Sequence, residues 1–536
     1  MKNRMFLAVA LSLGVLFLWQ AFVSKVYHID NKSVTANYPL EANSFGHRKP
    51  NYGLEAKNPA QDLTPSPLSP ASFPEERPPV TLDKFETDKL SIEFINPGAK
   101  IYRVYLKDYK LNSQITNAVY SKLFQNETYA LQKHKDGIDL SVQNEIGHYF
   151  GQKFIFRNNS YFIELESFYE NKSPANWTLT DELILATGYK NVHPEEANLY
   201  EAVFLDANKQ GSIRKGLFAV KDKFLYPGSW SGVAFRDRYS CLIINPRDSS
   251  KLTPFTAYHH PSGEVGLNIA NVEIPPGGSL IIKSILYCGP QDVKLLKENG
   301  LGFEEVVHYG TFDFISTALL SVMNIFHKLT KSWGWALILL SIFTYLIVYP
   351  LTLKQMRSMK EMQELQPKVE ALRKNYKDNP QRQNKEIMEL YRQHKVNPMG
   401  GCLPMILQIP VFFGLYQALS RSIVLKGSGF FWIKDLAEPD KLFLLPQALP
   451  FIGKEINILP ILMAIAMFFQ QKMSTKSAAA NPQMAEQQKM MVILFPIMFG
   501  FIFYHFPSGL AVYWFLNTLM GIFAQWKTLK TRPRTS

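Results

Sequence analysis

Cysteine is nearly absent from this chain, which has only Cys241, Cys288 and Cys402 among its 536 residues. This scarcity excludes a disulfide-stapled scaffold and a multi-cysteine zinc or iron–sulfur site. Catalytic signatures are also missing, since the sequence contains no Walker A, HExxH, GxSxG or complete dinucleotide-binding motif. We therefore expect no metal, no cofactor and no bond-making enzymatic activity. Cys241 and Cys288 could pair with each other or stay as buried thiols.

Charged residues are missing from five long apolar segments in the C-terminal half. Uncharged apolar runs of this kind predict membrane-spanning helices. A sixth apolar run, at 5–23, follows a basic start at 1–4 and has no clear cleavage site, so we expect an uncleaved signal anchor. The other five predicted spans are 333–353, 402–419, 456–470, 490–506 and 508–526.

The positive charge lies on one side of this predicted topology. The formal net charge is +13, and all of it falls on the start of the chain, two loops and the tail. These four segments are 1–4, 354–400, 471–489 and 527–536. Because basic loops remain in the cytoplasm, both termini are expected inside.

The remainder of the chain is predicted to lie outside the membrane on the opposite face. Residues 24–80 are rich in proline and predict an extended linker. Residues 81–305 alternate short β-branched and aromatic runs with turn signals, which predicts an all-β sandwich. Residues 306–332 predict an amphipathic helix at the membrane surface or, alternatively, a helix packed on the β domain. A loop at 420–455 completes this side. The predicted fold is thus a polytopic α-helical membrane protein with six spans and a large external all-β domain.

Loop 354–400 predicts a basic helical hairpin. A first helix is expected from about Lys354 to Tyr376, a turn at Asp378-Asn379-Pro380, and a second helix over 381–394. The hairpin is either a solvated topogenic loop or a docking surface for a ribosome, a nascent chain or anionic headgroups. The candidate docking residues are Lys354, Arg357, Lys360, Lys368, Arg373, Lys374, Arg382 and Lys385.

Polar and amphipathic side chains interrupt the predicted spans. They either hold helices together or line a shared polar groove, and the sequence leaves both interpretations open. The candidate groove residues are Ser341, Thr344, Tyr345, Gln408, Gln417, Tyr513, Trp514 and Asn517.

Several short strings resemble one known family. They are Tyr349-Pro350-Leu351-Thr352, Leu365-Gln366-Pro367-Lys368, Val396-Asn397-Pro398-Met399-Gly400-Gly401-Cys402-Leu403-Pro404, Phe506-Pro507-Ser508-Gly509-Leu510 and Tyr513-Trp514. Together with the order of segments, they make the chain resemble the YidC/Oxa/Alb family of membrane protein insertases. The resemblance is strong over 306–530 and weaker over 81–305, where 230–235 and Gly289-Pro290 still fit.

The resemblance implies an insertase and chaperone of the bacterial inner membrane, with the β domain in the periplasm. It implies that the substrates are nascent membrane proteins and that the insertase acts alone or with the Sec translocon. It also implies a ribosome and membrane lipids as partners. A monomer without a nucleic-acid site is expected. One departure stands out, because the family usually has an arginine in the second span where this chain has Tyr345.

Two other function classes compete with the insertase. A solute transporter would show repeated halves and broken helices, and we find no internal repeat. A membrane-anchored carbohydrate-active enzyme would use the β domain, for which the resemblance implies a sugar-mutarotase-like sandwich; fold alone does not give that activity.

Overall fold

The computed structural model of the protein describes residues 80–189, 199–208, 211–259, 262–377, 379–394, 396, 403–449, 453–475 and 482–530. The predicted signal anchor at 5–23 and almost all of the predicted linker at 24–80 lie outside the described residues. So do Cys402, residues 476–481 of the predicted loop 471–489 and the last six residues of the predicted tail.

In the described part of the chain, residues 80–290 form eighteen β-strands. They are β1 (Val80–Glu86), β2 (Leu90–Asn96), β3 (Lys100–Leu106), β4 (Leu111–Asn112), β5 (Tyr120–Ser121), β6 (Ala130–Lys133), β7 (Gly137–Gln143), β8 (His148–Phe156), β9 (Phe162–Asn171), β10 (Trp177–Tyr189), β11 (Glu201–Asp206), β12 (Ser212–Gly216), β13 (Phe224–Leu225), β14 (Trp230–Arg236), β15 (Ser240–Pro246), β16 (Leu252–His259), β17 (Ser262–Ile274) and β18 (Ser279–Pro290).

The strands build a sandwich of antiparallel sheets. The large sheet has the order β12-β11-β14-β15-β18-β9-β8-β7-β6, and the sheet facing it has the order β13-β16-β17-β10-β5. A four-stranded sheet, β1-β2-β3-β4, adds its buried side chains to the same apolar core. The predicted all-β sandwich is therefore confirmed.

Strand β9 illustrates why this sequence forms a sandwich. Its residues alternate between half-buried and buried along the whole strand, as expected for a strand with one face in the core. Its partner β18 begins after a turn at Pro275-Pro276-Gly277-Gly278. In that turn the amide of Gly278 donates to the carbonyl of Pro275 at 2.8 Å, and Gly277 has φ +73°, which glycine adopts without steric cost.

Cys241 and Cys288 lie on neighbouring strands, and both are free and buried. In the β15–β18 ladder Cys241 is opposite Gly289, and Cys288 is opposite Leu242. Because successive residues of a strand point to opposite faces, the two sulfurs lie on different sides of the sheet. A disulfide between them would require a one-residue shift of the register, so the thiols stay free.

We expect both thiols to be inert in the folded protein. Burial raises the pKa of the Cys288 thiol to about 12, and burial together with nearby Asp237 raises the pKa of Cys241 well above its ordinary value. Little reactive thiolate therefore forms at neutral pH. In a Cys402→Ser background, a maleimide should label neither residue natively and both after denaturation. Rapid native labelling at pH 8 would contradict this expectation.

The rest of the described chain is mostly helical. The helices are α1 (Val293–Lys297), α2 (Asp313–Thr330), α3 (Trp333–Glu364), α4 (Gln366–Asn375), α5 (Pro380–Gln393), α6 (Leu403–Arg421), α7 (Leu459–Thr475), α8 (Pro482–Ile502) and α9 (Ser508–Lys530). A small hairpin, β19 (Phe443–Leu449) and β20 (Gly453–Ile456), precedes α7. The sequence did not predict this hairpin.

Helices cover each of the five apolar segments for which spans were predicted. Within the described residues, one stretch, Trp333–Met362 of α3, is long and apolar enough to cross a membrane by itself. Leu459–Met473 and Val492–His505 are shorter apolar helices. The number of spans and their topology remain predictions.

Helix α3 does not end where the predicted span ends. It continues without a break to Glu364, so the expected start of a separate hairpin helix at Lys354 is wrong. The break comes instead at Leu365, and α4 starts with Pro367 in its first turn. The first amides of a helix have no partner within it, so a proline, which lacks an amide hydrogen, fits the first turn of α4.

Helix α2 packs on the other helices of the core. Its buried residues are Ser316, Leu320 and Met323, and they face α3 and α6. Phe314, Ile325 and Leu329 on the other side remain exposed. A helix that is apolar on its outer face suits the predicted position at a membrane surface better than one covered by the β domain.

Candidate functional site

Four of the candidate groove residues meet at the hydroxyl of Tyr513. Tyr513 lies on α9 and is fully buried, and Gln408 of α6 donates from Nε2 to its Oη at 2.6 Å. The side chains of Thr344 on α3 and Asn517 on α9 lie beside the same hydroxyl. We call Thr344, Gln408, Tyr513 and Asn517 the polar cluster; it joins three helices in an otherwise apolar core.

Local helix geometry places each member of the polar cluster. Tyr513 and Asn517 are four residues apart, so they lie on one face of α9. Asn517 also donates from Nδ2 to the Tyr513 carbonyl at 2.8 Å. The Thr344 hydroxyl donates to the Leu340 carbonyl of its own helix at 2.9 Å. The Tyr513 hydroxyl accepts from Gln408.

Three other candidates lie close to the cluster on the same helices. Tyr345 is half-buried and donates from Oη to the Met520 carbonyl at 3.1 Å, which ties α3 to α9. Ser341 is fully buried and donates to the carbonyl of Leu337 in its own helix. Trp514 is half-buried in an aromatic group, with its ring centroid 5.2 Å from that of Phe412.

The eighth candidate, Gln417, has a different partner. Its Oε1 accepts from the backbone amide of Phe312 at 3.0 Å, just before α2. Gly310 allows this approach, since it has φ +127° and a Cβ there would overlap the Gln417 side chain. In the first turn of α2, the hydroxyl of buried Ser316 donates to the Gly414 carbonyl of α6 at 2.8 Å. Gln417 therefore fixes α2 to α6 rather than joining the polar cluster.

The candidate docking residues lie along α3, α4 and α5 of the basic hairpin. Lys360 and Arg373 are half-buried. Arg382 faces its neighbour Glu386 at 4.0 Å, and Lys368 lies 3.2 Å from the His394 ring. The exposed members of the set are Lys354, Arg357, Lys368, Lys374, Arg382 and Lys385.

A loop at 426–441, which we call the outer loop, covers the start of α9. The first amides of a helix have no partner within it. Here the amide of Ser508 donates to the Glu438 carbonyl at 2.7 Å, and the amide of Gly509 donates to the Leu436 carbonyl at 3.0 Å. A Cβ at Gly509 would press on that carbonyl oxygen, so glycine permits the contact.

Ion pairs hold the outer loop in this shape. Lys426 Nζ lies 3.0 Å from Asp435 and 2.8 Å from Glu438. Burial opposes the charge of Lys426, but its hydrogen bonds to the two carboxylates outweigh burial and raise its pKa. Burial likewise opposes the charge of Glu438, and the same Lys426 contact lowers the pKa of that carboxyl overall. Both groups thus stay charged across the neutral range.

The β domain also contacts the outer loop. Arg238, in the turn between β14 and β15, donates from Nε to the Ser420 carbonyl at 2.7 Å and from Nη2 to the Ala437 carbonyl at 3.4 Å. The preceding arginine, Arg236, is buried and donates to the carbonyls of Val306 and His308, both at 2.9 Å. The end of β14 and the turn that follows it therefore bind the end of α6, the outer loop and the segment that leads into α2.

A buried carboxylate, Asp440, links the outer loop to α7. One of its oxygens accepts from the amides of Ile458 at 2.9 Å and Leu459 at 3.1 Å, and from the Trp432 indole at 3.3 Å. A carboxylate at a helix N-terminus accepts hydrogen bonds from the free amides there and interacts favourably with the positive end of the helix dipole. Sequence reasoning missed Asp440, since it lies eighteen residues before the first amide that it caps, far outside any local capping pattern.

Two family models match adjoining parts of the chain. Residues 112–322 match a model described as YidC periplasmic domain, and residues 325–534 match one described as 60Kd inner membrane protein. The first covers most of the sandwich, and the second covers α3 to α9.

Several similar proteins carry the name Membrane protein insertase YidC. One from Pelobacter propionicus is 35% identical over 69% of this chain and 67% of its own length. One from Geobacter sp. strain M21 is 33% identical over 82% and 78%, and one from Geotalea uraniireducens is 28% identical over 99% and 100%. A crystal structure of an active YidC insertase covers 85% of this chain and 95% of its own, at 16% identity and a TM-score of 0.39.

Proposed function

Because the chain belongs to the YidC family of membrane protein insertases, we propose that it inserts newly made proteins into the bacterial inner membrane and helps them to fold. The resemblance recognised from short sequence strings is thereby confirmed. The observation that supports the mechanism below is the polar cluster, in which three helices bring hydrogen-bonding side chains together inside an apolar core.

The proposed chemistry is a reduction of desolvation cost, not a bond-making reaction. A polar segment that enters a bilayer loses its hydrogen bonds to water, at a cost of roughly 2–7 kcal/mol for each unpaired group. Tyr345, Gln408 and Asn517 are half-buried and carry both donors and acceptors, so they can replace some of those bonds. The substrate's polar tail would lie against these side chains, in a groove open to the cytoplasm and to lipid.

The apolar part of the substrate would follow the outer surfaces of α6 and α8. These surfaces expose large aliphatic and aromatic side chains, among them Ile409, Ile493, Ile497 and Phe501. Burial of apolar area in the bilayer contributes about 25 cal/mol per Å², which would drive release of the substrate into lipid. No nucleotide is needed for this step.

The outer loop supports a groove that is closed on the periplasmic side. It covers the start of α9 through backbone hydrogen bonds and is held by the Lys426 ion pairs. On the other side, the exposed lysines and arginines of the basic hairpin suit contacts with a ribosome, a nascent chain or anionic headgroups. We propose that the chain works as a monomer, alone or with the Sec translocon.

Family membership favours the insertase over a solute transporter and over a carbohydrate-active enzyme. Deletion of the β domain separates the cases. An insertase should largely keep insertion activity without residues 81–300, whereas an enzyme of the β domain would lose all activity.

Photocrosslinking in cells tests the groove directly. A photoreactive amino acid at position 345 or 408 should crosslink to a ribosome-stalled short membrane protein, whereas one at Ile146, which is exposed on the β domain, should not. Crosslinks from 345 and 408 to lipid alone would refute the proposed groove.

Replacing Tyr345 tests how far insertion depends on the side chain that this chain has in place of the family's arginine. Tyr345→Ala removes one hydrogen bond to the Met520 carbonyl and no charge, so we expect a modest loss of insertion. The loss should be smaller than that caused by removing the groove arginine from relatives that have one. Insertion yield of a short substrate in proteoliposomes measures this, and a complete defect would contradict the expectation.

A further inference from the structure

A tight turn in the outer loop carries two aromatic residues at its tip. The amide of Phe430 donates to the Ile433 carbonyl at 2.8 Å, and the amide of Ile433 donates back to the Phe430 carbonyl at 2.9 Å. This reciprocal pair leaves Phe431 and Trp432 as the two turn residues. We call Phe430 to Ile433 the aromatic turn.

Phe431 is an unexpected residue for its position. Its φ is +52°, in the left-handed region where glycine is the usual residue of such a turn. The side chain gains no burial in return, since it is 75% exposed. A backbone conformation that is unfavourable for phenylalanine, combined with an exposed aromatic ring, indicates a role for the ring outside the folded chain.

The surrounding structure holds the aromatic turn rigidly. The Phe430 ring packs over Gly334 at the start of α3, where any Cβ would overlap it. The Trp335 ring lies 5.5 Å from Phe430 and 6.3 Å from Phe431, measured between centroids. The Trp432 indole donates to Asp440, so its orientation is also fixed.

The turn continues an apolar surface on α3. Trp335, Ile342 and Leu346 are exposed and lie on one side of the helix, at a spacing of seven and then four residues. This helix contains the one described stretch that is apolar and long enough to span a bilayer. Exposed Lys331 lies two residues before the start of α3, and exposed Lys434 directly follows the aromatic turn.

We propose that the aromatic turn is a lipid anchor, which inserts the rings of Phe431 and Trp432 into the headgroup boundary of the periplasmic leaflet. Aromatic rings favour this boundary, and lysine stems can lie on apolar surface while their ammonium groups reach lipid phosphates. The anchor would fix the outer end of α3 and the outer loop at one depth while substrates pass. This inference rests on the proposed membrane position of α3.

Fluorescence quenching in lipid nanodiscs tests the anchor. The full chain carries Cys402→Ser and one new cysteine, labelled with the environment-sensitive fluorophore NBD, and the nanodiscs contain phosphatidylcholine with a nitroxide near the headgroup. A label at Phe431→Cys should be quenched by the nitroxide lipid and protected from aqueous iodide. Matched labels at Leu123→Cys and Ile146→Cys, at positions 51% and 69% exposed on the β domain, should be quenched by iodide alone.

The remaining outcomes separate the anchor from the proposed function. A label at Leu346→Cys, 60% exposed on α3, should be quenched by a nitroxide deep in the acyl chain. If that label is quenched and position 431 responds only to iodide, the anchor is refuted and the membrane position of α3 stands. If neither label responds to lipid, the proposed membrane position of α3 is refuted, and the anchor that rests on it is refuted as well. Protection of position 431 from both quenchers would mean a protein partner and would also refute the anchor.

A glycine variant separates anchoring from folding. Phe431→Gly fits the backbone of the turn, so its thermal midpoint in detergent should be equal to or above that of the parent chain. With the label moved to Lys434→Cys, quenching by the headgroup nitroxide should fall at least two-fold on the Phe431→Gly change. Unchanged quenching would overturn the proposal.

Discussion

Replacing Tyr513 by alanine is expected to abolish insertion and to destabilise the helical core strongly. The side chain is fully buried where α3, α6 and α9 meet, so its loss creates a cavity, and aromatic-to-alanine changes at such sites cost about 3–5 kcal/mol. Gln408 also loses its hydrogen-bond acceptor, and Thr344 and Asn517 lose a polar neighbour. Thermal unfolding in detergent and insertion of a short substrate in proteoliposomes measure the two effects.

Tyr513→Phe separates the hydroxyl from the ring. This change keeps the volume of the ring and removes the hydroxyl that accepts from Gln408. A hydrogen bond between membrane helices contributes about 0.6 kcal/mol to stability, up to about 1.7. If the polar cluster only holds helices together, this variant should lose a little stability and keep insertion. If the cluster hydrates substrate, insertion should fall several-fold while the thermal midpoint moves little.

Tyr345→Phe is the matched control for Tyr513→Phe. It removes the same kind of hydroxyl from a half-buried tyrosine with one hydrogen bond, to the Met520 carbonyl. We expect a smaller effect on both measurements. Equal insertion by Tyr513→Phe and the parent chain would leave the cluster with a purely structural role.

The polar cluster shows where sequence reasoning stops. Residue type was enough to select its members, because polar and amphipathic side chains in apolar helices are few. Their convergence could not be predicted, since Gln408 and Tyr513 are more than a hundred residues apart and meet only through tertiary packing. The same reasoning gave Gln417 equal weight, although the structure uses it to fix Phe312.

The fold was more predictable than the site because its signals are local. The alternation of buried and half-buried residues in β9 and the Pro-Pro-Gly-Gly turn before β18 both follow from short stretches of sequence. The end of α3 was missed because basic composition was taken as the boundary, whereas the helix continues through its basic residues to Glu364. The free state of Cys241 and Cys288 depends on strand register, which composition does not reveal.

Replacing Asp440 by alanine should have the second large effect, by opening the outer side of the helical core. Its carboxylate serves three donors, the amides of Ile458 and Leu459 and the Trp432 indole. An orphaned buried donor costs about 1–3 kcal/mol, so the outer loop should detach from α7. Insertion should be lost, and the thermal midpoint should fall.

Opening can be measured with a reporter cysteine at a buried position. Ser341 is fully buried, so Ser341→Cys should not react with a membrane-impermeant maleimide added from the periplasmic side. In the Asp440→Ala background the same cysteine should become labelled, because the outer loop no longer covers the helices beneath it. Absence of labelling together with normal insertion would show that the outer loop does not close the groove.

Asp440→Asn and Asp248→Ala provide the controls for this experiment. Asparagine keeps an oxygen for the amides of α7 and loses only the charge at the helix N-terminus, typically about 0.3–1 kcal/mol. Asp248 is an exposed carboxylate of the β domain that accepts from the Ser250 amide, so its loss should change neither measurement. If Asp440→Asn is as harmful as Asp440→Ala, the negative charge itself holds the outer loop; if it is nearly silent, the hydrogen bonds do.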